Sequence, residues 1–326
     1  MDMLELVRLN LLSPIILAFV LGIVATLARS DLKFPEPLYT ALSIYLLLAI
    51  GLKGGAALSE TPLRELGGPA LATLALGIAV PLWSYAIVRR VGRMSVSDAA
   101  ALAAHYGSVS VVTFIAALSF LDAARIGYEG FLPTLVAMLE VPAIIVALLL
   151  ARMRGGAGRG SWGTVLHEVL AGRSILLLLG GLVIGAASGT AGLERVAPFF
   201  VAPFQGALVL FLLEMGMVAA RRFRDLRTAG AFLLGFGVGM PLLHGVLGVW
   251  LGSVVGLSLG GSTVLGVMAA SASYIAAPAA VRIALPEANP GYYLTAALAI
   301  TFPFNLTVGI PVYFAVARWL HAGGAG

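Results

Sequence analysis

Ten apolar runs alternate with short polar segments along the chain. Each is about the 20 residues that an α-helix needs to cross the hydrocarbon core of a bilayer. The runs are 12–29, 38–58, 68–90, 97–120, 129–151, 174–190, 197–219, 229–254, 261–284 and 291–319. This pattern predicts an all-α integral membrane protein with ten transmembrane helices, in which residues 1–326 form a single membrane domain.

Two polar stretches interrupt these runs. Gly107-Ser108-Val109-Ser110 lies in the fourth run, and Ala270-Ser271-Ala272-Ser273 lies in the ninth, 163 residues later. Backbone that is not helical survives at membrane depth only where protein encloses it or where it lines a cavity. We therefore expect two broken helices that cross at the bilayer midplane, as in secondary transporters.

The two halves of the chain share further features at a shift of about 160–165 residues. Gly51 aligns with Gly216, Pro81 with Pro241, and Ser108 with Ser271. Each half holds five spans, and because five is odd the second half must be inserted upside down. The sequence thus predicts two five-helix inverted repeats, at about 12–151 and 174–319, joined by a linker at 152–173.

Composition narrows the class of function. The chain is 60% hydrophobic and 11% charged, with a mean hydropathy of +1.02, far from a soluble domain. It has no cysteine, its four histidines show no metal-ligand spacing, and no catalytic motif is present. We expect neither an enzyme nor a partner that is a nucleic acid.

The basic residues indicate an orientation. If the ten spans alternate, 14 of the 20 Lys and Arg residues lie on one face, chiefly in loops 89–93, 152–173 and 221–227. The positive-inside rule makes that face cytoplasmic. The prediction is a multi-pass protein of a bacterial-type inner (plasma) membrane with both termini external, whose first run is retained rather than cleaved.

The predicted breaks suggest the chemistry of a site. A half-helix that starts at mid-membrane offers free N–H groups to an anion, and one that ends there offers carbonyl oxygens to a cation. Together with serine hydroxyls, these groups suit a small, singly charged anion taken up with sodium. Close helix packing by small residues is the alternative reading of the same pattern. A passive channel or facilitator and a proton-coupled carrier for another small monovalent anion are the alternative functions.

A few polar side chains in the runs could complete such a site. Glu140 precedes Pro142 in the fifth run, and a carboxylate at that depth requires a partner or an ion. The repeat-equivalent Thr301–Asn305 stretch carries a hydroxyl and an amide. Lys53 and Glu214, late in the second and seventh runs, could pair with each other or reach the interface.

Several of these segments resemble the sodium-dependent bicarbonate transporter family. The block from Ala270 to Ala279 and the block from Ile300 to Pro311 carry the closest resemblance, and Ile50–Gly55, Tyr106–Ser110 and Leu213–Gly216 are similar to further family signatures. The resemblance covers essentially the whole chain. It implies a sodium/bicarbonate symporter that forms a homotrimer in the lipid bilayer and is regulated by a PII-like cytoplasmic protein.

The resemblance also implies the positions of the ligands. The implied anion-binding residues are Ser110, Ser271, Ala272, Ser273, Tyr274 and Phe302. The implied sodium ligands are Gly107, Ser110, Glu140, Thr301 and Asn305, with Ser108 and Thr113 in supporting positions. Sodium is then the co-transported ion and the only cofactor.

The chain departs from the family pattern at two positions in the site. Val112 stands where well-studied members have a serine, which removes an anion donor. Glu140 stands where they have an aspartate, which keeps the charge on a longer arm. The linker at 152–173, on the predicted cytoplasmic face where a regulator would dock, is also short.

Overall fold

A computed structural model describes residues 3–154 and 162–323, and these residues form helices and connecting loops without a strand. Helices suit long apolar segments because each helix satisfies its own backbone N–H and C=O groups in lipid. Part of the predicted linker, residues 155–161, lies outside the described residues.

The first half of the chain holds seven helices. They are α1 (Met3–Leu11), α2 (Pro14–Leu27), α3 (Glu36–Glu60), α4 (Leu63–Arg90), α5 (Val96–Gly107), α6 (Val111–Ala123) and α7 (Leu132–Met153). The two helices α5 and α6 together occupy the fourth apolar run, and the chain is not helical between them.

The second half repeats this order. Its helices are α8 (Trp162–Leu170), α9 (Arg173–Phe200), α10 (Phe204–Arg222), α11 (Leu226–Val254), α12 (Leu259–Ala270), α13 (Ala276–Ala284) and α14 (Pro290–Gly323). Helix α9 bends at Gly189 and α11 at Gly230, where φ is positive. In α14, Thr295–Thr301 and Asn305–Gly309 are wound as π-helix.

Eight stretches of the described chain are long and apolar enough to cross a membrane. They include the broken α5–α6 stretch, Val96–Ala123, as one span. Two further apolar helices, Pro14–Leu27 and Leu259–Ala270, are shorter than a full span. The prediction of an all-helical, multi-pass protein is therefore confirmed, and the count of ten full-length spans is not.

Two helix boundaries differ from the sequence expectation. The predicted gap at 191–196 is helical, because α9 continues through the Gly189 bend to Phe200. Residues 162–170, within the predicted linker, form the short helix α8, which packs on α9 and α13. Its nine residues are too few to register as an apolar run.

The halves pack against each other in a crossed manner. Helix α2 packs on α10, and α3 packs on α9. In both contacts a glycine lets the two backbones approach closely. A Cβ on Gly51 would lie 2.7 Å from the Leu178 carbonyl oxygen, and a Cβ on Gly216 would collide with the Phe19 carbonyl oxygen. Small residues of this kind are what close helix contacts in membranes require.

The first broken span lies at the centre of the protein. In its most apolar 18-residue window, 94% of the residues are buried, whereas the figure for α9 is 28%. Helices α4 and α7 enclose α5, and α11 and α14 enclose α12 in the same way. The two breaks are therefore surrounded by protein, as non-helical backbone in a membrane must be.

Candidate functional site

The first break separates α5 from α6 at Ser108–Ser110. Ser110 caps α6, since its Oγ accepts the Thr113 N–H at 3.2 Å and the Thr113 hydroxyl at 3.0 Å. Gly107, the last residue of α5, has no room for a side chain. A Cβ there would lie 2.7 Å from Cδ of Pro81 and 2.9 Å from Cβ of Ala143.

The second break separates α12 from α13 at residues 271–275. The Ser271 hydroxyl donates to the Met268 carbonyl at 2.8 Å. The Ser273 hydroxyl accepts the Ala277 N–H at 3.2 Å, near the start of α13. Ser110 and Ser273 thus satisfy N–H groups at the start of the second half-helix in their respective breaks, as N-cap residues do.

Two hydrogen bonds join the breaks directly. The Ser110 N–H donates to the Ser271 hydroxyl at 2.9 Å, and the Ser273 N–H donates to the His105 carbonyl at 2.8 Å. Ser110 is 4% exposed, and Ser271 and Ser273 are 1% exposed. The arrangement brings half-helix N-termini, with their partial positive charge, and half-helix C-termini into one buried crossing.

Helix α14 contributes two further polar residues at its irregular turns. The Thr301 hydroxyl donates its proton to the Gly237 carbonyl at 2.7 Å. Because a hydroxyl has only one proton, Thr301 must accept its second hydrogen bond, also 2.7 Å long, from the Tyr106 hydroxyl. The Asn305 amide donates to the Ala270 carbonyl at 2.8 Å, at the end of α12. The π-helical turns that frame Thr301 and Asn305 are a common feature of functional sites.

An aromatic cluster borders the second break. The Tyr274 ring packs edge-on against Phe302 with centroids 5.3 Å apart, and Phe302 packs in the same manner on Phe19 at 5.4 Å. The Tyr274 hydroxyl oxygen is buried and lies near Ser110. Ala272, two residues before Tyr274, is also buried, with 3% exposure.

Glu140 lies against the first break on α7. It is 1% exposed, and its Oε2 has no hydrogen-bond partner in the described chain. The Ser108 hydroxyl makes a long contact, 3.4 Å, with the Glu140 backbone carbonyl. A buried carboxylate in this condition requires a cation or a proton.

The predicted sodium ligands approach the crossing from different elements. Glu140 is beside Ser108, Asn305 is bonded to the end of α12, and Thr301 is bonded to α5 and α11. Within the described residues no hydrogen bond joins Glu140 to Thr301 or Asn305, and no group of three or more His, Asp or Glu could hold a metal ion. A cation here would therefore bind mainly hydroxyl, amide and backbone oxygens.

The structure adds residues that sequence reasoning missed. Tyr106 fixes Thr301, and the Tyr313 hydroxyl donates to Oδ1 of Asn305 at 3.1 Å. His105 supplies the carbonyl that receives the Ser273 N–H, while its Nδ1 lies 2.6 Å from the Ala101 carbonyl. The signals in the sequence are the resemblance of Tyr106–Ser110 to a family signature and the position of His105 directly before it.

The suggested pairing of Lys53 with Glu214 is wrong. Glu214 lies 3.5 Å from Arg221, which is two turns further along the same helix, in its C-terminal basic cluster. The Lys53 ammonium lies over the Phe204 ring, 5.5 Å from the centroid. Each side chain therefore has its own partner, on opposite ends of α10.

Comparison with known proteins assigns the family. No curated protein shows a significant match to the chain. The model of the Na⁺-dependent bicarbonate transporter superfamily matches residues 14–318, which include both breaks and every predicted site residue. The chain therefore belongs to the Na⁺-dependent bicarbonate transporter superfamily, a family of transporters and not of enzymes.

Proposed function

We propose that this protein is a symporter that takes up bicarbonate together with sodium. The observation that carries the proposal is the buried crossing, in which the Ser110 N–H donates to Ser271 of the second break and the Ser273 N–H donates to the His105 carbonyl, in the last turn of α5. Half-helix ends held together in this way offer fixed dipoles to a desolvated ion pair without a large formal charge.

The anion site is proposed at the second break and its contact with the first. Ser110, Ser271 and Ser273 supply hydroxyls, since the N–H groups of all three are used within the protein, and the buried Tyr274 hydroxyl supplies another. Ala272 and Phe302 border this space with apolar surface that excludes water. A set of neutral donors suits a singly charged oxyanion, because these donors carry no positive charge that would balance the second charge of a dianion.

The sodium site is proposed on the side of the first break that faces α7. Glu140 provides one negative charge, and Gly107, Ser110, Thr301 and Asn305 provide backbone, hydroxyl and amide oxygens. Ser108 and Thr113 support Glu140 and Ser110 through their hydroxyls. One sodium ion would neutralise the carboxylate and remove the cost of its burial.

The proposed architecture is a pair of inverted repeats, each with five spans. Its support is the crossed packing of α2 on α10 and α3 on α9, together with matching helix caps: Ser95 accepts the Asp98 N–H at 3.0 Å, and Ser258 accepts the Gly261 N–H at 3.1 Å. The short helices α1 and α8 extend the correspondence, since a shift of 159 residues superimposes their bounds.

The membrane orientation and the assembly of the transporter are proposed from the distribution of its basic residues and from its family. We propose an inner-membrane protein with both termini external, assembled as a homotrimer. Helix α9 exposes apolar side chains such as Leu176 and Val183, which would contact either lipid or a second subunit. A PII-like regulator would approach the basic face, where the linker is short.

The test is uptake of labelled bicarbonate into proteoliposomes with and without an inward sodium gradient. We expect accumulation above equilibrium only with the gradient. Accumulation that never exceeds equilibrium would indicate a passive channel or facilitator.

One observation favours a second candidate. Because the Oε2 atom of Glu140 has no partner, a proton could take the place of sodium. Accumulation driven by a proton gradient in sodium-free buffer would establish that proton-coupled carrier in place of the symporter.

A further inference from the structure

The proposed ion sites do not use Lys53, although it belongs to one of the segments that resemble the family. Lys53 lies two turns before the end of α3, within an apolar span. An ionisable side chain at such a position is costly unless it meets water or a ligand, and in membrane proteins it commonly marks a path for ions. The position of Lys53 therefore points to a polar function.

Lys53 lines a cavity of about 250 Å³ where α7 and α10 begin, at the opposite end of α10 from the basic cluster at 221–227. Leu118 and Ser119 line this cavity from α6, Leu193 lines it from α9, and Gln205 lines it from α10. A space of this size holds several water molecules. A small ion can therefore enter it with part of its hydration shell.

The charge of Lys53 is not neutralised by the protein. Lys53 is the only basic residue among the described residues that line the cavity, and no described carboxylate lies within salt-bridge distance of it. Its ammonium lies over the Phe204 ring, 5.5 Å from the centroid. A ring face attracts an ammonium through its quadrupole but carries no net charge. The positive charge is therefore available to an anion in the cavity.

Asp122, near the end of α6, supplies an acceptor to the same cavity. Its Oδ1 accepts the Tyr128 hydroxyl at 3.0 Å, and no hydrogen bond joins its Oδ2 to a described residue. A carboxylate repels most monovalent anions, but bicarbonate carries an O–H group that it can donate to a carboxylate while its other oxygens accept from a cation. A cation and a carboxylate in one cavity therefore fit a protonated oxyanion better than nitrate or chloride, which have no proton to donate.

Helix α6 connects this cavity with the crossing. The helix begins behind Ser110, and Ser119 lies nine residues later, about 14 Å along the helix axis. Ser119 is 9% exposed, and its hydroxyl donates to Oε1 of Gln205 at 3.2 Å. The cavity therefore lies at one end of the half-helix whose other end borders the proposed anion site.

We infer that this cavity is an external binding site for bicarbonate, in which Lys53 binds the negatively charged oxygens and Asp122 accepts the O–H group. The inference rests on the proposed function for the identity of the ion and on the proposed orientation for the side from which it enters. The cavity concentrates the anion outside the crossing, and no proposed sodium ligand takes part. Lys53 should therefore set the bicarbonate concentration that half-saturates uptake, and not the maximal rate.

The first test is the initial rate of sodium-driven bicarbonate uptake into right-side-out membrane vesicles at low ionic strength. Lys53→Gln should raise the KM for bicarbonate about threefold to fivefold, the effect of one exposed ion pair, with the maximal rate unchanged. Lys53→Arg should keep the wild-type KM. Lys33→Gln is the matched control, because it removes the only other lysine of the chain, which precedes α3 at its opposite end. Higher ionic strength should reduce the difference between Lys53→Gln and wild type.

The second test uses nitrate, a planar monovalent oxyanion without a proton, as an external inhibitor of bicarbonate uptake. Asp122→Asn removes the repulsion by the carboxylate, so nitrate should inhibit this variant at a concentration about threefold lower than it needs for wild type. Glu60→Gln removes an exposed carboxylate at the end of α3, outside the cavity, and should leave inhibition by nitrate unchanged.

Three results would overturn the inference. A wild-type KM in Lys53→Gln means that the cavity holds no anion. A KM that rises as much in Lys53→Arg, or that rises equally at every ionic strength, means that Lys53 acts through packing. Equal inhibition of wild type and Asp122→Asn by nitrate means that Asp122 does not select the ion. The proposed function is tested separately, since it fails only if uptake by the wild type ignores the sodium gradient.

Discussion

The two breaks are built alike but differ in charge. Each ends a half-helix, passes through an extended serine segment and starts the next half-helix after a serine, Ser110 or Ser273, whose hydroxyl accepts an N–H of that helix. Beside the first break lies the carboxylate of Glu140, with one oxygen unpartnered. Beside the second lies the amide of Asn305, whose nitrogen and oxygen are both hydrogen-bonded.

This difference separates structural from ionic roles. Asn305 holds the end of α12 in place and leaves the second break neutral, which suits an anion bound by dipoles and hydroxyls. Glu140 places one carboxylate beside the first break, and no described residue forms a salt bridge with it. This asymmetry in charge fits the proposal that the pair of breaks binds one cation and one anion.

The largest effect is expected from removing the charge at the first break. Glu140→Gln keeps the shape but takes away the one carboxylate. Removing one member of a buried charge pair costs about 3–5 kcal/mol, so sodium affinity should fall by on the order of a hundredfold or more. Bicarbonate affinity at saturating sodium should fall much less.

The measurement is the sodium dependence of uptake and of binding. Glu194→Gln, at an exposed position of α9, is the matched control and should behave as wild type. Unchanged sodium dependence in Glu140→Gln would reduce Glu140 to a structural residue and leave the cation with Thr301 and Asn305.

A smaller effect is expected from the serines that join the breaks. Loss of a hydrogen bond to a charged ligand costs about 1.5–3 kcal/mol, so Ser110→Ala, Ser271→Ala and Ser273→Ala should each weaken apparent bicarbonate affinity about tenfold to a hundredfold. The exposed Ser188→Ala serves as control, since its hydroxyl bonds only within α9. Initial rates of uptake across a range of bicarbonate concentrations give the comparison, and normal affinity in all three variants would move the anion site elsewhere.

The smallest effect tests the packing that positions the first break. Gly107→Ala places a methyl group against Pro81 and Ala143, and overpacking of this kind costs about 1–3 kcal/mol. The thermal midpoint of the purified protein should fall. Gly67→Ala, in α4 with nothing within 4 Å, should instead hold or raise it. A Gly107→Ala protein as stable as wild type would show that the break tolerates displacement.

Sequence reasoning reached the breaks themselves because Gly and Ser are conspicuous within apolar runs. It did not reach the bonds that set their geometry, since these join residues far apart in the chain, such as Tyr106 with Thr301, 195 positions away. It placed Glu140 correctly inside a helix but could not show which of its oxygens has no partner.

The errors have physical causes as well. Helix α8 lies within the predicted linker because nine residues of mixed polarity give no signal for a membrane span. Pairing of Lys53 with Glu214 is one of two alternatives that the sequence allows, because both residues lie late in repeat-related helices. Their partners, Phe204 and Arg221, depend on how α3 and α10 are rotated, which periodicity alone does not determine.

The central claim, that the crossing binds one anion and one sodium ion together, has a direct test in equilibrium binding. Radiolabelled sodium is titrated into purified protein with and without saturating bicarbonate, and labelled bicarbonate is titrated with and without saturating sodium. Because linkage is reciprocal, each ligand must raise the affinity for the other by the same factor. We predict a factor well above one in wild type and near one in Glu140→Gln; independent binding of the two ions to the wild-type protein would contradict the account.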